Sequence, residues 1–437
     1  MSREVSEDNA IIVNDEESLL RVFVEGARPQ EQYKIGIEFE RFVLDQDSGK
    51  SLPFSGQEKS IENLLKAFHQ RTDWTPVYDQ GALISLTKDG SAITLEPGGQ
   101  LEISASAHAD LQTSCKEILC LVEVFDEIGQ ELGAFYARTG VPPITTMPEA
   151  KWVPKSRYKT MRAFHASDEA FLEMMTVTAS VQINYDYSTE QDCADKIKAS
   201  SVLSPILAAL YANSYYEGGK LTGYMTRRMQ IWDRLDPNRS GIKPFFVDGS
   251  FSYEKYRDYM LDVPMYFVSR EGKYVDVGHQ TFRSYLKEKP LGDVLEQDWL
   301  LHLTTTFPEV RLKNHLEFRS IDSGPLRHVM SSAAMIKGLI YHPESLQGVL
   351  AMFDGITAQE VSQGIQDVAV KGMQAEYGGR RIASFIKDIY ALAEQGLSVD
   401  EKKYLENIWP YVEQGLSPAE QKIQNCDFDD PNVWKVL

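Results

Sequence analysis

Two glutamates, Glu38 and Glu40, stand two residues apart in an otherwise apolar run, Ile35-Gly36-Ile37-Glu38-Phe39-Glu40-Arg41-Phe42-Val43. In an extended chain successive side chains alternate faces. Ile35, Ile37, Phe39 and Val43 then share one face, and Gly36, Glu38 and Glu40 the other. Carboxylates at such positions lie about 7 Å apart. Like charges that close repel unless something positive stands between them. A divalent cation is the simplest such group, and magnesium favours carboxylate oxygens. The alternative is that both glutamates face water.

Further residues repeat the pattern. Glu96 and Glu102 flank a Pro97-Gly98-Gly99 turn between two short runs of strand type, a β-hairpin signature. From Val177 to Asp186 an apolar row alternates with Thr178, Ser180, Gln182, Asn184 and Asp186. A polar row without Lys or Arg suits a strand lining a polar cavity, with an ordinary half-exposed strand as the alternative. The run from Val310 through Asn314 to Arg319 reads as one last strand, with Arg311, Lys313, Glu317 and Arg319 on it. Carboxylate beside arginine and lysine suits metal plus phosphate, because the guanidinium fork grips phosphate or carboxylate by paired hydrogen bonds. Arg227 and Arg228 precede Trp232, and Tyr253, Tyr256 and Tyr259 fall at helical spacing.

If these strands pair, their polar rows form one acidic face able to hold two or three magnesium ions with basic residues nearby. Such a face describes nucleotide-dependent phosphoryl transfer. No GxxxxGK[ST] loop occurs, so metal rather than a P-loop would hold the phosphates. A glycosidase using two of the carboxylates is one rival. A non-catalytic acidic binding protein is another, and it predicts no ATP turnover.

Other elements must position these groups. Helical spacing predicts helices over Glu16–Glu25, Ile61–Phe68, Leu111–Leu132 and Asp195–Tyr216, and a buried strand over Val263–Val268. The chain turns helical from Val329, with capping boxes at Thr357/Glu360, Ser398/Glu401 and Ser417/Glu420. The 437 residues, 43% hydrophobic, suffice for a large core. A net charge of −19 argues against nucleic acid and anionic membranes as partners. The four cysteines (Cys115, Cys120, Cys193 and Cys426) form no CxxC pair. Low cysteine use and an acidic start without an apolar segment point to the cytoplasm.

The segments IGIEFERF (Ile35–Phe42), LEPGGQLEIS (Leu95–Ser104), TASVQIN (Thr178–Asn184), RRMQIW (Arg227–Trp232), DYMLDVPMYF (Asp258–Phe267), HLTTTFPEVRLKNHLEFRS (His302–Ser320) and GPLRHV (Gly324–Val329) occur in this order. Together they resemble glutamate–cysteine ligase of the plant and proteobacterial type. The resemblance implies an α+β fold: a curved, mostly antiparallel sheet of the glutamine synthetase-like carboxylate–amine ligase kind, with flanking helices and a helical C-terminal tail. The division it suggests is a helical lead-in (1–33), a catalytic domain (34–330) and a C-terminal helical region packed on it (331–437). It implies ATP, L-glutamate and L-cysteine as substrates, γ-glutamyl phosphate as intermediate and Mg2+ as cofactor, with monomer and homodimer both open. A related γ-glutamyl ligase with another acceptor amine stays open too. By motif, Glu38, Glu40, Glu96, Glu102 and Glu317 resemble the metal shell, with Gln182 near it. Arg311, Lys313 and Arg319 resemble phosphate partners, Arg228 the partner of the glutamate α-carboxylate, and Trp232 and Tyr259 the cysteine pocket wall. Plant members carry regulatory disulfides. Here Cys115 stands where one such cysteine would be, but Met330 takes its partner's place, so the resemblance implies no plant-style redox switch.

Overall fold

The run around Glu38 forms strand β1 (Ile35–Arg41), near the centre of an eight-stranded sheet. In the computed structural model residues 11–437 are described. The other strands are β2 (Thr75–Asp79), β3 (Ala82–Lys88), β4 (Ser91–Leu95), β5 (Leu101–Ser104), β6 (Ser180–Tyr185), β7 (Val310–Leu312) and β8 (Leu316–Asp322). Their order is β7-β8-β6-β1-β5-β4-β3-β2, and every neighbouring pair is antiparallel. Each central strand carries the period-2 alternation that puts one row into the core. Ile35, Ile37, Phe39, Val181, Ile183, Leu316 and Phe318 belong to one buried apolar cluster, and Ile93, Leu101 and Ile103 to a second.

Helices α1 (Leu111–Leu132), α2 (Glu190–Leu210) and α3 (Leu326–Tyr341) cover this apolar face. Asp110 caps α1 by accepting a hydrogen bond from the Thr113 N–H at 2.8 Å, and Gly133, with φ +65°, ends it. Helix α2 starts at Glu190 rather than Asp195, because Thr189 caps it, and it stops at Leu210. Residues Glu169–Val177 are helical, so strand β6 begins only at Ser180. The strand expected over Val263–Val268 spans Phe267–Arg270 and pairs with Lys273–Asp276. Pro264, which has no N–H to give a ladder, lies outside it.

The expected strand from Val310 to Arg319 is a hairpin instead. It reverses at Lys313–His315, where the Lys313 N–H donates to the His315 carbonyl at 2.8 Å. The reversal sets Arg311 directly opposite Glu317. In the lead-in, residues 1–10 lie outside the described part; Glu17–Leu20 is a 3-10 turn and Arg21–Gly26 a short helix. Residue 330 falls inside α3, and one apolar cluster runs from Val13 to Val412 across that position. Capping boxes form at Thr357 and Ser417. Ser398 makes none: the Glu401 carboxylate accepts from the Leu111 N–H at 3.0 Å and from Lys337 at 2.5 Å, tying the C-terminal helices to the start of α1.

Candidate active site

The sheet's polar face carries the chemistry, and strand register decides which groups meet. Glu40 on β1 lies directly opposite Glu102 on β5, and Glu102 opposite Thr94 on β4. Glu38 lies opposite Gln182 on β6, while Asn184 lies between Gly36 and Glu317. The turn between β4 and β5 needs its glycines. A Cβ on Gly98 would come within 2.1 Å of the Thr176 carbonyl oxygen, and Gly99 has φ +85°. The Gln100 amide donates to the Thr178 carbonyl at 2.8 Å and fixes the turn against the start of β6.

Two adjoining cavities open on this face. The first, about 740 Å³, is lined by Glu38, Glu40, Glu96, Glu102, Gln182, Trp232, Arg311 and Arg319. The second, about 1170 Å³, is lined by Arg28, Lys34, Asn184, Lys313, Asn314 and His315 among others. Glu38, Tyr274 and Thr304 line both, so the two are lobes of one trough. Strand register brings Glu38, Glu40, Glu102, Gln182, Arg311 and Arg319 together, while Glu96 comes from the turn between β4 and β5 and Trp232 from the helix Arg227–Asp233.

Charge within the trough is uneven. Glu40 and Glu102 are 7% and 6% exposed. Burial, then the Glu96 and Glu102 charges, pushes the Glu40 carboxyl up to about 8. Burial, then the Glu38 and Glu96 charges, pushes Glu102 up to about 7. Glu40 accepts from the Ser180 N–H at 2.6 Å and the Gln182 amide at 3.0 Å; Glu102 accepts from the Thr94 hydroxyl at 3.0 Å. These neutral donors do not cancel the repulsion, so the row takes up either a proton or a cation. Among the described residues, no group of three His, Cys, Asp or Glu side chains is already drawn together as a metal site. The donors are nevertheless all carboxylate oxygens, which suits Mg2+, and the register already sets Glu40 against Glu102.

Glu317 has the opposite environment. Arg311 donates to its two oxygens at 2.7 and 3.0 Å, Lys313 approaches at 2.5 Å, and Arg319 bonds it as well. Burial opposes ionisation here too, yet Arg311, Lys313 and Arg319 hold the carboxyl well below the usual range. Fully buried and lining neither cavity, Glu317 is spent on these cations rather than standing open in the acidic row. The Arg311 guanidinium also donates to the Thr304 and Thr306 carbonyls, both at 3.1 Å.

Arg228 and Tyr259 line neither cavity. Arg228 is buried behind Trp232, its guanidinium 5.2 Å from the indole, and donates to the Arg319 carbonyl. Tyr259 packs between Tyr256 and Phe245. Three residues that sequence reasoning missed, Lys155, Arg157 and Tyr158, line the first cavity beside Glu96 and Glu102. Lys155 donates to the Leu95 carbonyl at 2.7 Å, and its ammonium is pulled down to about 8, chiefly by burial against the attraction of Glu96. Their only sequence signal is two cations and a tyrosine in four residues after Pro154.

Residues 34–435 match the profile of glutamate–cysteine ligase family 2. The chain belongs to this family. Among curated members, glutamate–cysteine ligase B of Oryza sativa subsp. japonica is 36% identical over 386 residues, covering 87% of this chain and 77% of that one. The Nicotiana tabacum glutamate–cysteine ligase is 35% identical over 416 residues, covering 93% and 79%. A crystal structure of glutamate–cysteine ligase from Francisella tularensis in complex with AMP superposes with a TM-score of 0.57, covering 92% of this chain and 88% of that one. At 11% identity that likeness speaks for the fold alone. The fold is therefore the α+β ligase type expected from the motifs.

One expectation is corrected. The rice and tobacco family members are named as chloroplastic, which overturns the cytoplasmic reading. Low cysteine content and acidic composition do not distinguish one reducing compartment from another. No helix among the described residues is long and apolar enough to cross a membrane.

Proposed function

We propose that this chain joins the γ-carboxylate of L-glutamate to the amine of L-cysteine at the expense of ATP, the first step of glutathione synthesis. The observation that carries the reading is the meeting, in one trough, of an excess of carboxylates with a fixed cluster of cations. Amide formation from a carboxylate needs a better leaving group than oxide, and phosphate supplies it. ATP and a carboxylate are both anions, so a cation must bring them together.

Glu40, Glu102 and Glu96 would hold Mg2+, with Glu38 reaching it from the border of the two lobes. When bound, the metal neutralises the phosphates of ATP and of the acyl phosphate. The rest is done by the chain's own side chains. Glu317 clamps three cations whose net charge with it is +2, so the cluster stays positive toward the trough. Arg311 and Arg319 face the first lobe and Lys313 the second. A phosphoryl group crossing between the lobes meets all three, already oriented. On this geometry the second lobe takes the nucleotide and the first the amino acids.

Trp232 walls the first lobe, backed by Phe307 at 6.0 Å and by the Arg228 and Arg319 guanidinium groups at 5.2 and 5.4 Å. An apolar wall suits a small thiol side chain. Arg228 acts here through Trp232, as its support. Lys155 and Arg157 are the cations placed to meet a carboxylate in that lobe.

ADP release measured with glutamate across a panel of amines tests the reading. Cysteine should be turned over at least about tenfold faster per KM than alanine. Equal rates for the two would remove cysteine as the acceptor, and no ADP release with any amine would favour a non-catalytic binding protein.

A further inference from the structure

Behind the catalytic trough, on the apolar side of β1, lies a third cavity of about 430 Å³. The protein carries a net charge of −19, yet this cavity is lined by three arginines, Arg41, Arg138 and Arg327, and one carboxylate, Asp126. Arg41 is 4% exposed. Its guanidinium lies 4.6 Å from the Tyr136 ring and 5.1 Å from the Phe39 ring, both of which line the cavity. Asp126 comes no closer than 3.8 Å and is half exposed. The Nε and Nη2 atoms of Arg41 are buried without a hydrogen-bond partner among the described residues. Burial disfavours its charge, and nearby Arg138 acts in the same direction. A buried fork with donors to spare costs free energy unless an acceptor arrives.

The start of helix α3 supplies a second set of donors. Gly324, Pro325, Leu326 and Arg327 all line the cavity, and no side chain caps this sixteen-residue helix. Its first-turn N–H groups and its dipole favour an anion at that end. Arg138 and Arg327 are exposed, and neither makes an ion pair among the described residues.

We propose that this cavity is a second anion site, separate from the trough, that takes a phosphoryl group between Arg41, Arg138, Arg327 and the N-terminus of α3. Free phosphate and a phosphate ester share the chemistry that would be recognised. The anion bridges the end of β1, which carries Glu38 and Glu40, to the segment leaving β8, which carries Glu317 and Arg319. The Ser323 hydroxyl, next to this segment, already donates to the Glu40 carbonyl.

Calorimetric titration of the full chain with inorganic phosphate, and separately with AMP, in Mg2+-free low-salt buffer tests the site. Arg138→Ala/Arg327→Ala removes two exposed side chains and leaves the fold intact, which a thermal melt verifies. The wild type should show a phosphate-binding event that this variant weakens at least about tenfold, and Arg41→Lys, which keeps the charge but loses the fork, should weaken it as well. Tighter binding of phosphate identifies the free ion as ligand, and tighter binding of AMP the ester; either supports the site if the arginine variant loses it. Isotherms unchanged by the double substitution, or no binding of either probe to the wild type, would overturn the proposal.

Discussion

Glu40 and Glu317 lie on the same face of one sheet, on strands separated only by β6, yet their carboxyls are driven in opposite directions. Both are buried, so desolvation acts alike on each. Their strand neighbours differ. Glu40 faces Glu102 and has Glu96 close by, whereas Glu317 faces Arg311 and has Lys313 and Arg319 beside it. In one region carboxylates outweigh the cations close to them, and in the other the cations are in excess. That imbalance suits the proposed function, which needs a seat for a cation next to a seat for an anion.

Substitutions should separate the two regions. Glu40→Gln and Glu102→Gln should each lower turnover by about a thousandfold with the fold kept, because they remove cation seats. At pH 8 and without metal, the same changes should raise the melting temperature, since they relieve a like-charge contact. Glu317→Gln should also abolish turnover but lower stability by about 3–5 kcal/mol, as it strands three buried cations. Equal signs of the stability change in the two regions, read by thermal melts, would erase the contrast.

A pH series sharpens it. Glu40 and Glu102 bind protons more tightly folded than unfolded, up to about 8 and about 7. Between about 4.5 and 8 these two carboxyls then hold more protons folded than unfolded and pull metal-free stability down as pH rises. His165, His302, His315 and His328, held low by desolvation, pull it up with rising pH below about 6.5. The carboxyl contribution is therefore read as the wild type minus Glu40→Gln/Glu102→Gln. Glu317, held low, contributes stability that is lost progressively as pH falls below about 4.5, so it lies outside this window. Saturating Mg2+ should flatten the fall. A melting-temperature difference, wild type minus Glu40→Gln/Glu102→Gln, that instead climbs from pH 5 to 8 without metal would contradict the charge assignment.

Smaller effects come from the scaffold. Gly98→Ala should destabilise by about 1–3 kcal/mol and weaken Mg2+ binding, because the added Cβ meets the Thr176 carbonyl and shifts the turn between Glu96 and Glu102. Reducing agent should leave turnover unchanged, since Cys115, Cys120, Cys193 and Cys426 are all free thiols. A large reversible change on oxidation would revive the redox switch.

Much of this was legible in the residues. Alternation exposed β1 and β6 and set Glu38 beside Glu40, and the Pro97-Gly98-Gly99 turn exposed β4 and β5 and set Glu96 near Glu102; that the two pairs meet depended on how the strands pair. The hairpin β7–β8 was not legible, because its reversal at Lys313-Asn314-His315 carries neither glycine nor proline. Missing that reversal hid the contact between Arg311 and Glu317. Lys155 and Arg157 escaped notice for another reason: they reach the trough from a loop and a helix start, where no periodicity marks an inward side chain. Arg228 and Tyr259 show the converse, residue types suited to binding that stand outside the linings of both lobes.

The central claim is that the carboxylates on β1 and β5 share one metal seat. Calorimetry of Mg2+ binding at pH 7, repeated in buffers of differing ionisation enthalpy, counts the protons displaced. The account predicts that about one proton leaves per ion bound to the wild type, and that Glu40→Gln/Glu102→Gln binds Mg2+ at least about a hundredfold more weakly with none released. Wild-type affinity in the double variant, or metal uptake without proton release in the wild type, would contradict it.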